Sequence, residues 1–343
     1  MSKLISKKKH IYPPSGALDR YLRDFNRTFR MPLTYDELLA YEDAIALYDR
    51  QGEDTLWSTL KYGQANRQEI YDGLVAMYSY MRTEGDNTAA RHLQVDRVDL
   101  CMYGNTKPFR VRITNTLNDN FEYFYIKRSD ANRIYGLELE HILSPNRISF
   151  FADQTTLIED HIHGIPGDIF RDKYLDQSDL NPVRLAKEFV KFNERCLLTL
   201  LGDMHASNFV LDITMDFEMN FYRIRAIDFD QQCYEGRLKV YRPQFFKQNS
   251  RYVSMVIETL PEETILQYQK EERILIHKRL RSSRFRFDAL IKVMAEQQIA
   301  PQKNVISLKD ELAAFYRCQD FEKCQNMAEL LVTSLDQVKN RGG

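Results

Sequence analysis

Glycine and proline are scarce, 13 and 10 residues in a chain of 343. That excludes a collagen-like or Pro/Gly-rich disordered polymer, and no repeat or low-complexity tract suggests an array. Cysteine is scarce too. The five, at 101, 196, 233, 318 and 324, are odd in number, scattered and without zinc-ligand spacing. This pattern excludes a disulfide scaffold and fits reduced thiols. Long hydrophobic runs are missing, so no membrane span is expected. The basic opening "MSKLISKKKH" has no apolar stretch behind it. No secretory signal is expected, and the chain reads as cytoplasmic; a route that leaves no cleavable signal stays open. A charge excess is also missing: 48 basic against 49 acidic residues leave −1. Bulk attraction to nucleic acid or a membrane surface is therefore not expected.

What is present is a patterned, foldable chain in three stretches. Residues 1–94 read as a helical N-terminal region. "LTYDELLAYEDAIALYDR" opens on a capping box, Thr34 with Glu37. "NRQEIYDGLVAMYSYMRTE" places Ile70, Leu74, Met77, Tyr78 and Met81 on one helical face. From residue 95 to 163 the pattern turns to strands. "DRVDLCMYG", "KPFRVRITNT" and "NFEYFYIKRS" are followed by a helix, "DANRIYGLELEHIL", and then "RISFFA" and "TTLIEDHI". Five antiparallel strands interrupted by one helix are expected. Residues 164–343 read as mainly helical, with one strand hairpin made by "NFVLDI" and "YRIRAIDFD". The fold class is α+β.

The chemistry gathers around that hairpin. "LLGDMHASNFVLD", 200–212, follows the amphipathic helix "NPVRLAKEFVKFNERCLLTLL" and carries Asp203, His205 and Asn208. The hairpin's return strand brings Asp228 of "IDFD" beside Asn208. Two oxygen ligands of the type magnesium prefers then stand next to a further carboxylate. Phosphoryl transfer needs such a set: a cation across the phosphates and an acceptor for the substrate hydroxyl's proton.

Gly202-Asp203-x-His205-x-x-Asn208 followed by Ile227-Asp228-Phe229 resembles the catalytic and metal-binding loops of the protein-kinase-like superfamily. The aminoglycoside and choline phosphotransferases are nearest in pattern, and some lipid kinases have a similar loop. The resemblance implies a two-lobed fold with a five-stranded N-lobe and a helical C-lobe, bound ATP and Mg2+, and Asp203 as catalytic base. It further implies Asn208 and Asp228 as metal ligands and His205 as a supporting residue. Upstream, it implies Lys127 of "FEYFYIKR" as the phosphate-holding lysine, paired with a glutamate of the next helix. Glu138 is chosen over Glu140, which lies about 200° away around the helix. "LIEDHIHGIPG" resembles the adenine-binding hinge, so Glu159, His161 and His163 are nucleotide-binding candidates. Departures from the pattern are the single glycine of "CMYGNTKPF", Leu201, the bulk of Tyr125, and Asp230 in place of a permissive glycine. Asp230 reads as an added metal or water ligand, or as a surface carboxylate.

The expected activity is ATP- and Mg2+-dependent transfer of a phosphoryl group to a hydroxyl of a protein, small molecule or lipid. The alternatives are a pseudoenzyme that binds a partner and a nucleotidyl-transferring relative. Residues 151–180 hold seven acids against Arg171 and Lys173, which suits a cationic substrate. "HKRLRSSRFRF", 277–287, has five cations and no acid, which suits an anionic one.

Overall fold

The run "FRVRITN" buries Phe109, Val111 and Ile113 and leaves the residues between them half-exposed. Its neighbours repeat that alternation, the signature of strands with one covered face. In the computed structural model, which describes residues 9–49, 51–83, 87–102, 106–215 and 220–340, these strands join one antiparallel sheet. Gly104 of the 101–109 loop lies outside the described residues, as do residues 1–8 of the basic opening and 216–219 of the hairpin connection. The chain divides into two compact units, one comprising Lys8–Asp130 with Ile148–His161, the other chiefly Ala131–Arg147 and 162–340.

The first unit holds α1 (Gly16–Asp24), β1 (Asp43–Tyr48), β2 (Asp54–Lys61) and α2 (Gln64–Thr83). Then come β3 (Leu93–Cys101), β4 (Phe109–Asn115), β5 (Phe121–Arg128), β6 (Phe150–Ala152) and β7 (Thr156–Asp160). Strand order is β1-β2-β3-β4-β5-β7-β6, so the sheet has seven strands where five were expected. Of the two added strands, β1 lies where a helix was expected from Thr34 onward, and β2 follows it within the stretch read as helical. The capping box does form, with Glu37 Oε2 accepting from Thr34 N at 2.6 Å. It opens only a short 3-10 turn, Glu37–Leu39. "DAIALY" then pairs with "DTLWSTLK", because pairing an edge strand outweighs local helix preference. The expected helix α2 is present and buries Ile70, Leu74, Met77, Tyr78 and Met81 in one core with Val98, Val111 and Phe124. Residues before 95 therefore share their core with the strands that follow.

The second unit begins with α3 (Ala131–Leu143) and continues with β8 (Ile165–Pro166), α4 (Gly167–Lys173) and α5 (Pro182–Thr199). The hairpin β9 (Phe209–Met215) and β10 (Asn220–Ala226) forms a three-stranded sheet with β8. Helices α6 (Ser250–Thr259), α7 (Glu262–Ser282), α8 (Arg284–Ala295), α9 (Gln302–Tyr316) and α10 (Met327–Asn340) complete it. Asn181 caps α5, its side chain accepting from Arg184 N, and Pro182 follows at the first helical position. Helix α5 packs against α6, α7 and β10 and so fixes where its C-terminal end delivers the chain. No helix among the described residues is long and apolar enough to cross a membrane.

Candidate functional site

Helix α5 ends at Leu200, which takes a left-handed backbone with φ 52°. The next residues are pinned to the segment after β10: Leu201 bridges Gln232, and Gly202 N donates to Gln231 O at 3.3 Å. A Cβ at Gly202 would stand 3.0 Å from Val240 Cγ1 and 3.1 Å from Gln231 O, so this close approach favours glycine. Asp203 is left-handed as well, φ 65°, and its N donates to Val240 O at 3.0 Å. Aspartate tolerates that region better than most residues.

His205 N donates to Asp203 O at 2.9 Å, and His205 then caps the 3-10 turn Ala206–Asn208. Its Nδ1 accepts from Ser207 N at 3.4 Å, which leaves Nε2 to carry the proton of the neutral ring, 3.9 Å from Asp203 Oδ1. Burial holds His205 below the ordinary imidazole value, partly countered by Asp228 and Asp168. His205 thus favours its neutral form and caps the turn between Asp203 and Asn208.

Asn208 closes the loop. Its Nδ2 donates to Asp203 O at 2.9 Å, which fixes the amide and leaves Oδ1 without a partner among the described residues. Ile227 N donates to Asn208 O at 3.0 Å, one step beyond the Phe209–Ala226 pair of the hairpin. Strand register therefore delivers Asp228 next to Asn208. Asp228 Oδ1 accepts from Asp230 N at 3.2 Å and from Arg133 Nη1 at 2.6 Å, while Oδ2 has no partner among the described residues. Phe229 between the two aspartates is fully buried and anchors the turn.

The cluster is rich in negative charge. Burial first, then Asp228, Glu235 and Asp230, push the Asp203 carboxyl up to about 8. Glu235 is itself raised by burial. A cation fits such a set: two uncommitted oxygens, Asn208 Oδ1 and Asp228 Oδ2, beside carboxylates that repel one another. Among the described residues no group of three or more His, Cys, Asp or Glu side chains is placed to hold a metal ion by itself, so a cation here would rely on Asn208 and on water or phosphate oxygens.

Arg133 was not singled out in the sequence, yet it lies at the centre of this charge. Its side chain, on the first turn of α3, is 1% exposed and also reaches Asp230 Oδ1 at 2.7 Å. Asp230 is thereby an ion-pair partner buried in the unit and not a surface carboxylate. One signal was available: an arginine five residues before Glu138 in a largely apolar helix needs a buried acid, and "DFD" supplies two.

The remaining candidates divide between the units. Glu138 is fully buried and binds Arg286 in bidentate fashion, Nη2 to Oε1 at 2.6 Å and Nε to Oε2 at 3.0 Å. Part of the 277–287 basic run is thus committed to structure. Glu140 accepts from Ser144 Oγ at 2.7 Å and Asn146 Nδ2 at 2.8 Å and secures the end of α3. In the other unit Lys127 is buried, with Nζ 3.2 Å from Glu159 Oε2. Glu159 lies between two strands, opposite Tyr125 on one side and Phe150 on the other, so it belongs to the sheet ladder. The Tyr125 hydroxyl is 3.3 Å from His161 Nδ1, and Arg110 stands over the Trp57 ring at 4.4 Å. His161 and His163 fall in different units.

No family model matches the chain, and no curated protein matches it. Among solved structures 158 chains match. One is "Titin kinase and its flanking domains", 11% identical, covering 71% of this chain and 54% of that one, with a TM-score of 0.28. This chain spans about half the length of that protein. At that TM-score the likeness supports neither fold nor activity. The chain is an α+β protein whose second unit carries a carboxylate-rich loop centre.

Proposed function

We propose that the chain is an ATP- and Mg2+-dependent phosphotransferase that acts on a hydroxyl group, with Asp203 as proton acceptor and Asn208 and Asp228 as metal ligands. The observation that carries this reading is the pair of uncommitted oxygens, Asn208 Oδ1 and Asp228 Oδ2, held by hairpin register beside Asp203. Magnesium bound there would supply positive charge for the nucleotide's phosphates and would offset the repulsion that raises Asp203. Asp203 orients the substrate hydroxyl and takes its proton as the oxygen bonds the γ-phosphorus and ADP leaves. His205 is assigned as a supporting residue that caps the turn carrying Asn208. Lys127 is assigned to the nucleotide phosphates, with Glu159 as the acid beside it, and Tyr125 and His161 are candidate contacts for the base. The acceptor hydroxyl belongs to a protein, a small molecule or a lipid.

Two variants test this. Asp228→Ala is expected to abolish most Mg2+-dependent ATP affinity, measured by calorimetry with and without the ion. Asp203→Asn is expected to keep that affinity and lower turnover by about 10²–10⁴-fold, the usual loss for a positioned general base. Full activity in a folded Asp203→Asn protein sinks the assignment. One observation favours a second reading: the Arg133 guanidinium already lies on Asp228, as suits a binding module that holds no metal. A thermal shift with ATP that is identical with and without Mg2+ would select that reading.

A further inference from the structure

A guanidinium does not lose its proton in a protein, so Arg133 is a permanent positive charge inside the acidic cluster. It is held there from several sides. Its Nη1 lies 2.6 Å from Asp228 Oδ1 and 2.7 Å from Asp230 Oδ1, and Nη2 lies 3.3 Å from Ile227 O. Helix α3 is fixed against the same turn, since Asn132 Nδ2 donates to Gln232 O at 2.7 Å and to Ile299 O at 3.0 Å. Asp228 is a third exposed, whereas Arg133 and Asp230 are nearly covered. One oxygen of Asp228 thus faces the guanidinium and the other is free.

We propose that Arg133 is a built-in counter-cation of this site, competing with the metal for Asp228 and setting its affinity, with Asp230 serving to hold the guanidinium. This rests on the reading of Asp228 as a metal ligand. Any cation on the free oxygen shares one carboxylate with a fixed positive charge, and like charges in a partly buried site repel strongly. The arrangement keeps two neighbouring carboxylates together when no dication is bound. It also makes Asp228 a weaker ligand than an unshared carboxylate. Arg133 is in this sense a positioning residue that acts through Asp228.

The test uses Mn2+ alone, without nucleotide, titrated into the full chain with the free ion read by electron paramagnetic resonance. Arg133→Met with Asp230→Asn removes one charge of each sign and leaves no buried acid newly stranded. It is expected to bind Mn2+ about tenfold more tightly than the parent, an order set by removing a near unit charge. Arg133→Gln with Asp230→Asn serves the same purpose where methionine does not fold. Arg133→Lys, which keeps the charge, should stay within about threefold of the parent. Adding Asp228→Asn to the double variant should erase the gain. A folded double variant that binds no more tightly than the parent overturns the proposal, as does a gain in Arg133→Lys equal to that of the double variant. In either case a loss of Mn2+ binding on Asp228→Asn in the parent leaves the metal-ligand reading standing. If neither parent nor double variant binds Mn2+, both readings fall.

Discussion

Burial first, and then crowding by Asp228, Glu235 and Asp230, push the Asp203 carboxyl up to about 8 from an unfolded value of 3.8. A carboxyl whose folded value is raised favours folding in its protonated form. Its contribution is therefore fully present below about pH 4 and is lost as pH rises toward 8. Asp203→Asn imitates the protonated group. The asparagine variant is expected to melt close to the parent at pH 4.5 and a few degrees above it at pH 8, in the absence of magnesium. Each kcal/mol gained moves the melting temperature by about 2–4 °C in a protein of this size class. Equal melting temperatures at both values would show that neither burial nor its neighbours strain the ionised aspartate. The ionised form of this residue thus costs stability in its buried, acid-rich setting. Its spacing to Asn208 was legible in the sequence because both lie in one short loop. The link of Asp228 to Arg133 was not, because it joins positions 95 residues apart.

At the scale of the element, α3 has a face set by close approach. A Cβ on Gly136 would stand 2.9 Å from Phe229 Cβ and 3.2 Å from Gln232 Cβ, atoms that cannot swing aside. Gly136→Ala gains about 1 kcal/mol of helix preference but loses about 1–3 kcal/mol to overpacking. The expected outcome is a lower urea midpoint, with weaker Mn2+ binding as the turn holding Asp228 shifts. The two glutamates of α3 differ in the same structural way. Glu138→Ala strips a bidentate partner from Arg286, and a loss of about 1.5–3 kcal/mol is expected for such charged hydrogen bonds. Glu140→Ala loosens only the helix end and should cost less; the reverse order in urea melts would contradict this account. Helical period placed Glu138 inward, but the resemblance assigned it Lys127 as partner, whereas the structure gives it a bidentate pair with Arg286 of α8. Strands β4 and β5 were legible from alternation. The β1–β2 hairpin was not, because Thr34 and Glu37 form a true capping box whose helix stops after one turn.

At the scale of the whole molecule, residues before 95 are part of a core and not an appendage. Leu60, Leu74, Met77 and Tyr78 pack in one cluster with Val98, Val111 and Phe124. A chain starting at residue 93 would lose β1, β2 and α2 and leave β3 as a bare edge. Such edges pair with other molecules, so soluble yield is expected to collapse relative to the full chain. A well-dispersed, cooperatively melting product from that truncation would show that the five remaining strands suffice. The Lys127–Glu159 contact was hidden in the sequence for a related reason. It is a diagonal pair that exists only because β7 enters between β5 and β6.

That insertion also bears on the order in which a ribosome releases the chain. Strand β5 ends at Arg128, and its neighbour β7 ends at Asp160, with the whole of α3 between them. At about 5–20 residues per second, β5 waits roughly two to six seconds for its partner. During that interval the emerging sheet shows an open side with Phe124 and Ile126 already in place, a target for any nascent neighbour or chaperone. Slowing translation between codons 129 and 160 should therefore increase aggregation, while slowing it after 161 should not.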